Sequence, residues 1–221
     1  MHTMNTGNTG DSSERTLNLR VLQPGIIYGV LPNGDLMWYQ HQGRQDGSFA
    51  WTYSEGKKVG VGWNFKQVFS GGEDIIYGVM DNGDLMWYRH EGREDGSFTW
   101  TYSEGKKVGV GWDFKQVFSP GGGIIYGVLP NGDLMWYKHL GWRDGSFRWT
   151  SSDGQKVGVG WDFKQVFYGG PGSPGIIYGV LPNGDLMWYR HEGREDGSFT
   201  WTYSEGKKVG VGWDFKQVFF G

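Results

Sequence analysis

The chain has 221 residues, of which 41 are Gly, 13 Trp, 12 Tyr and 13 Phe, and it contains no Cys. This composition is too aromatic for a disordered chain and too rich in Gly for a helical one, so it predicts an all-β globular protein without disulfides or thiolate metal sites. The formal net charge is −3, and Lys and Arg alternate with Asp and Glu, which leaves no basic face for a nucleic-acid partner.

The first segment, residues 1–16, is polar and lacks the apolar stretch of a signal peptide. No run elsewhere approaches the ~18 apolar residues that a membrane span needs. We therefore expect a disordered tail on a soluble protein with no membrane insertion, followed by a single domain over residues 17–221. The sequence leaves the compartment unknown.

A unit of about 50 residues then recurs four times, and this length is typical of one four-stranded propeller blade. The segment IIYGV begins at Ile26, Ile75, Ile124 and Ile176, and each copy is followed by NGDLMWY, DGSF, a Trp, KVGVGW and FKQVF. The predicted units span residues 17–61, 62–110, 111–159 and 160–212, with a closing strand at 213–221.

Within a unit the predicted strands are FKQVF, IIYGV, DLMWYRH and FTWTYSEGKKVG, in that order. All four are rich in aromatic or β-branched residues and are bounded by turn residues, including an Asn-Gly pair that favours a type I′ hairpin turn. IIYGV and LMWY are apolar on both faces, as a blade packed between two others requires. The sequence thus predicts a β-propeller of four-stranded antiparallel blades.

The two ends of the chain compete for one strand position. Residues 17–22 resemble FKQVF, so this inner-strand type occurs five times and the other three types four times. Segments 17–22 and 215–220 are therefore alternatives for completing the ring. We favour four blades with one terminal strand displaced or paired with a second chain, which makes the protein a monomer or a strand-exchanged small oligomer; a five-bladed ring is the alternative.

The order IYGV, NGDLMWYRH, Trp, KVGVGWDFK and QVFS resembles the tachylectin-2-like propeller lectins over about residues 17–220. This resemblance implies a five-bladed ring that binds N-acetylated amino sugars, such as N-acetylglucosamine and N-acetylgalactosamine, in clefts between neighbouring blades. The present chain departs from that pattern by having four complete units and a longer charged loop, HEGREDGSF.

Candidate ligand residues fall at two ends of the propeller, because successive loops of an antiparallel blade emerge at alternate ends. Sugar recognition needs an aromatic face and a few fixed polar groups. End B holds the first candidates, in the Asn-Gly-Asp turns and the Gly-Trp passages between blades: Trp63, Trp112, Trp161, Trp213, Gly62, Gly111, Gly160, Gly212, Asn33, Asn82, Asn131 and Asn183. End A holds the second candidates, in the loops after the third strands: His41, His90, His139, His191, Asp46, Asp95, Asp144 and Asp196.

Each group also has a purely structural interpretation. The tryptophans can plug the seams between blades, and the aspartates can cap turns in a solvated loop. The third unit has HLGWRDGSF in place of HEGREDGSF but retains His139 and Asp144, whereas the residues at end B hardly vary. This difference favours end B.

Catalysis is not expected, because an active site needs acid and base groups in distinct environments. Here each His and carboxylate beyond the tail recurs in nearly the same surroundings. No metal site is predicted, since each unit has one His without ligand spacing, and no cofactor motif is present. Repetition favours multivalency instead. The two hypotheses are a multivalent lectin that binds glycans and a non-catalytic interaction protein or engineered symmetric scaffold without a selected ligand.

Overall fold

The computed structural model describes residues 25–44, 46–170 and 175–215. These residues form fifteen β-strands and no α-helix, and their helical content is three single 3-10 turns, at Gln42–Arg44, Glu91–Arg93 and Glu192–Arg194. No helix among them is long and apolar enough to cross a membrane. The predicted tail, the segment 17–22 and residues 216–221 of the closing strand lie outside the described residues.

The strands pair into four antiparallel sheets, which are the blades of a four-bladed β-propeller. Blade 1 contains β1 (Gly25–Val30), β2 (Leu36–His41) and β3 (Lys57–Gly60). Blade 2 contains β4 (Gln67–Gly72), β5 (Ile75–Val79), β6 (Leu85–Arg89) and β7 (Lys106–Gly109). Blade 3 contains β8 (Gln116–Gly121), β9 (Ile124–Val128), β10 (Leu134–Lys138) and β11 (Gln155–Gly158). Blade 4 contains β12 (Gln165–Tyr168), β13 (Ile176–Val180), β14 (Leu186–Arg190) and β15 (Lys207–Gly210).

The predicted fold class and the favoured count of four blades are confirmed. The described residues do not form the fifth blade that the family resemblance implied. Within each blade the strand order follows the chain, and blade 1 has three strands in the described residues. A cavity of about 910 Å³ is lined by residues from all four blades, among them Ile27, Phe69, Phe118 and Phe167, which places the blades around a common axis.

The second and third strands of a blade form the predicted hairpin, but the predicted type I′ turn is wrong, because Asn82 does not have the positive φ that this turn requires. Instead the Gly83 amide donates to the Met80 carbonyl, and Gly83 alone takes the left-handed conformation. In blade 2, Tyr77 pairs with Trp87 and Val79 with Leu85. Gly83 has φ 81°, a conformation that Gly adopts without steric cost. The inner strand adds a stacked ring pair, with Phe69 and Tyr77 centroids 5.3 Å apart.

The fourth strand is much shorter than predicted. In blade 2 it covers only Lys106–Gly109, and an isolated bridge joins His90 to Trp100 upstream of it. The Gly105 amide donates to the Tyr102 carbonyl, and Gly105 has φ 71°, so the chain turns sharply before the strand begins. The segment FTWTYSEG is therefore a loop at end A.

Neighbouring blades are joined by one set of contacts that recurs at three junctions. Between blades 2 and 3, the Tyr77 hydroxyl lies 2.8 Å from His139 Nδ1, and Trp87 Nε1 donates to the Trp142 carbonyl at 2.7 Å. In the other direction, from blade 3 to blade 2, Trp149 Nε1 donates a hydrogen bond to the Val108 carbonyl. We call this junction 2/3, and junctions 1/2 and 3/4 contain the equivalent bonds of Tyr28 with His90, Trp38 with Arg93, Trp100 with Val59, Tyr126 with His191, Trp136 with Arg194 and Trp201 with Val157.

The remaining junction, between blades 4 and 1, does not make these contacts in the described residues. Tyr178 and His41 stand in the equivalent positions and are not hydrogen-bonded to each other. Val209 is 54% exposed, whereas its counterparts Val59, Val108 and Val157 are fully buried. A β-carbon placed on Gly47 would meet nothing within 4 Å, whereas one on Gly96 would lie 2.5 Å from the Trp38 ring. Within residues 25–44, 46–170 and 175–215, blade 4 and blade 1 therefore do not pack against each other as the other neighbours do, and we call these two surfaces the unmated faces.

Candidate functional site

The end B tryptophans pack in the interfaces between neighbouring blades. Trp112 is 5% exposed, its backbone amide donates to the Gly83 carbonyl, and its ring lies 4.9 Å from Tyr137 and 5.4 Å from Trp149 of the next blade. Trp63 and Trp161 are buried in the same way, and only Trp213, at the unmated face, is half-buried. A buried ring has no free face for a sugar, so the geometry of Trp63, Trp112 and Trp161 does not support their predicted ligand role.

The other end B candidates are exposed, but their polar groups are engaged locally. Asn82 Oδ1 accepts from the Asp84 amide at 2.9 Å, and Asn82 Nδ2 donates to the Asp84 carboxylate. Asn33, Asn131 and Asn183 make the same bonds with Asp35, Asp133 and Asp185. The passage glycines Gly62, Gly111, Gly160 and Gly212 have φ between 71° and 73° and form the bend. The end B set therefore builds turns and seams.

At end A, three of the four histidines are buried and fully hydrogen-bonded. His139 Nε2 lies 2.8 Å from the Ser146 carbonyl, and its Nδ1 faces the Tyr77 hydroxyl. A carbonyl can only accept, so Nε2 carries the proton and Tyr77 donates to Nδ1. Burial lowers the pKa of His139, as it does for His90 and His191. Both nitrogen atoms of these imidazoles are engaged within the protein, which is a structural use of the three side chains. His41 is half-buried, with its Nε2 at 3.0 Å from the Ser48 carbonyl.

The end A aspartates are exposed carboxylates that cap their own turns. Asp95 Oδ1 accepts from the Ser97 amide at 2.9 Å, and that bond lowers the pKa of Asp95. Asp46, Asp144 and Asp196 accept from Ser48, Ser146 and Ser198 in the same way. An Asp in this position stays ionised and keeps acceptor capacity toward solvent.

Exposed aromatic residues follow these aspartates in the segment that was predicted to be a strand, with a Phe and a Tyr in units 1, 2 and 4 and a Phe in unit 3. Phe98 is 52% exposed and Tyr102 is 45% exposed. They belong to the loop before the short fourth strand. Gly96 and Gly105 lie on either side of them and both have positive φ, and these two glycines are the signal in the sequence that the segment is not extended.

Junction 1/2 joins the Tyr53–Lys57 pair of blade 1 to the blade 2 loop that carries Asp95 and Phe98. Lys57 Nζ lies 4.0 Å from the Tyr53 ring centroid and donates to the Asp95 carbonyl of blade 2 at 2.9 Å. The loop that carries Asp95 and Phe98 rests on blade 1 through Gly96, which touches the Trp38 ring. Junction 2/3 repeats the arrangement, with Lys106 3.8 Å from the Tyr102 ring and bonded to the Asp144 carbonyl, beside exposed Phe147.

A family comparison decides the relationship of the chain to known proteins. The family model described as Tachylectin matches residues 9–166 and 82–221, which together extend over nearly the whole chain. The chain belongs to the tachylectin family. This family is of the lectin type, so the resemblance seen in the repeated motifs is confirmed.

Comparison with solved structures adds little to the assignment of this tachylectin. One match is a chain in the crystal structure of Kap60 bound to yeast RCC1 (Prp20), with 12% identity and a TM-score of 0.40 over 81% of this chain and 44% of that one. Another is a putative 6-phosphogluconolactonase from Bacteroides fragilis, with 14% identity and a TM-score of 0.41 over 92% of this chain and 58% of that one. The tachylectin chain thus spans less than two thirds of either. No curated protein sequence matches it.

Metal binding has no support in the described part of this tachylectin. No group of three or more His, Asp or Glu residues there is arranged to hold a metal ion.

Proposed function

We propose that this tachylectin is a multivalent lectin that binds N-acetylated amino sugars in the grooves between blades at end A. The observation that carries the proposal is the composition of junctions 1/2 and 2/3. Each combines a half-exposed Phe and Tyr, an ionised Asp and a Lys, within a propeller of a lectin family.

These groups match the surface of a pyranose. An aromatic ring packs against the apolar C–H face of a sugar, while Asp95 accepts hydrogen bonds from hydroxyl or amide groups. Lys57 uses one N–H for the Asp95 carbonyl and has further donors for ring hydroxyls. The positive charge of Lys57 and the negative charge of Asp95 cancel, which suits a neutral sugar.

The same groups do not suit catalysis. General acid catalysis requires a carboxyl group whose pKa lies near the working pH, whereas hydrogen bonds hold the pKa of Asp95 and Asp144 below the usual value. Repeated junctions on one rigid ring instead allow avidity toward a polyvalent glycan surface. We therefore infer a binding protein without enzymatic activity.

The test is a glycan array together with hemagglutination. We expect binding to glycans that end in N-acetylglucosamine or N-acetylgalactosamine, and agglutination that is inhibited by the free sugar. Phe147→Ala should weaken binding at junction 2/3 by about tenfold, because one aromatic contact contributes roughly 0.5–1.5 kcal/mol beyond the area it buries. Phe49→Ala is the matched control, because Phe49 lies on the unmated face and is 93% exposed. A folded protein that binds no glycan would favour the scaffold hypothesis.

A further inference from the structure

The four junctions differ in the residues that would contact a sugar. Junctions 1/2 and 2/3 have the full set: Tyr, Lys, Asp and Phe. In blade 3 the sequence SSDGQK replaces YSEGKK, so Ser151 stands in place of Tyr and Gln155 in place of Lys. Junction 3/4 therefore lacks the Tyr ring and the Lys ammonium group of this segment, while Lys138 Nζ, from the third strand of blade 3, donates to the Glu195 carbonyl at 3.2 Å.

The opposite wall of junction 3/4 is unchanged. Asp196 caps its turn through Ser198, Phe199 is 55% exposed, and Trp136 Nε1 donates to the Arg194 carbonyl at 2.8 Å. The Gln155 side chain occupies the space beside Gly197 where a Lys stem lies at the other junctions. The backbone of the groove is thus retained while its Tyr–Lys wall is missing.

At the junction between blades 4 and 1, the Tyr–Lys pair is present but the opposite wall is not in place. The Tyr203–Lys207 pair is present, with Lys207 Nζ 3.6 Å from the Tyr203 ring centroid. The loop that should face it, Asp46 to Phe49, is not docked against blade 4, since Gly47 has open space around it and Phe49 is 93% exposed. All the residue types exist there, but the two walls are not brought together.

We infer that this tachylectin has two complete sugar sites, at junctions 1/2 and 2/3, and that the Tyr–Lys pair of the preceding blade determines whether a junction binds. The inference rests on the proposed function, because it assigns sites to that activity. It makes the chain bivalent, although its four units look alike in sequence.

Equilibrium dialysis with N-acetylglucosamine measures the bound equivalents per chain at saturation. We expect two for the unaltered chain and one for Tyr53→Ser/Lys57→Gln or for Tyr102→Ser/Lys106→Gln. These substitutions copy the residues of blade 3, which folds with them. Ser151→Tyr/Gln155→Lys should raise the number to three.

The matched control is Tyr203→Ser/Lys207→Gln, which makes the same change at the unmated face and should leave two bound equivalents. Loss of a site in that variant, or three or four equivalents in the unaltered chain, would overturn the inference and leave the proposed function intact. If no variant binds the sugar while circular dichroism shows native β-structure, both fail.

Discussion

Each buried histidine in this protein is hydrogen-bonded to two neighbours, one of which accepts a hydrogen bond from the ring while the other donates one to it. His139 donates through Nε2 to the Ser146 carbonyl and accepts through Nδ1 from Tyr77, a residue of the preceding blade. Only the neutral ring satisfies both partners with their present geometry. Sequence reasoning placed the histidines at the correct end but missed this role, because the Tyr partner lies 62 positions away and no short motif contains both residues.

Replacement of His139 by Ala should destabilise the fold. The change opens a cavity and leaves the buried Tyr77 hydroxyl without its acceptor, which costs about 2–4 kcal/mol in the free energy of unfolding. His41→Ala removes the same residue type at the unmated face, where no Tyr is bonded, and should cost less than about 1 kcal/mol. Urea unfolding followed by tryptophan fluorescence measures both. Equal losses would contradict the role assigned to the Tyr–His bond.

At the scale of elements, the first three strands of a blade follow directly from their sequence. Alternating aromatic and β-branched residues and the Asn-Gly turn specify the hairpin, as the pairing of Tyr77 with Trp87 shows. The fourth strand was predicted too long because Trp100 and Tyr102 have high β-propensity, which the turn at Gly105 overrides. β-Propensity describes how well a side chain fits a half-buried sheet, and in this segment the pairing is limited to the single bridge of Trp100 with His90.

The Gly of IIYGV gives a prediction about blade packing. A β-carbon on Gly127 would lie 2.6 Å from the Phe114 ring, whereas one on Gly29 would meet nothing within 4 Å. Gly127→Ala should therefore cost about 2 kcal/mol or more through overpacking, and Gly29→Ala should change the free energy of unfolding by less than about 0.5 kcal/mol. Thermal unfolding compares the two variants. A large loss for Gly29→Ala would mean that an aromatic ring covers this position in solution.

At the scale of the whole molecule, the blade count could be read from the repeat, but the state of the last junction could not. Val108 and Val209 sit in the same sequence context, yet one is fully buried and the other is 54% exposed. The difference in exposure arises because blade 3 packs against the surface that contains Val108, whereas no described blade packs against the surface that contains Val209. The end A aspartates were second candidates from the sequence, but the sequence did not show which lysine lies beside each, because such a pair comes from two units, as Lys57 and Asp95 do.

The three buried histidines make the stability of the whole propeller depend on pH. Burial lowers the pKa of His90, His139 and His191, so below about pH 6.5 the unfolded chain binds more protons than the folded one. This stabilisation is complete above pH 6.5 and is lost as the pH falls below it. We expect the free energy of unfolding to decrease as the pH is lowered from 7.5 to 5.5. Urea titrations at several pH values measure the slope, and a flat profile would show that these imidazoles are accessible to protons in the fold.

The two unmated faces also have a genetic consequence. Blade 4 exposes the surface against which a following blade would pack, and blade 1 exposes the surface that would pack against a preceding blade. Any copy of the unit can therefore follow or precede any other. Unequal recombination between the nearly identical coding repeats would add or delete a whole blade in frame, and each product would already carry matching ends. The number of blades in a propeller of this kind can thus change in single inherited steps, without any new interface having to evolve.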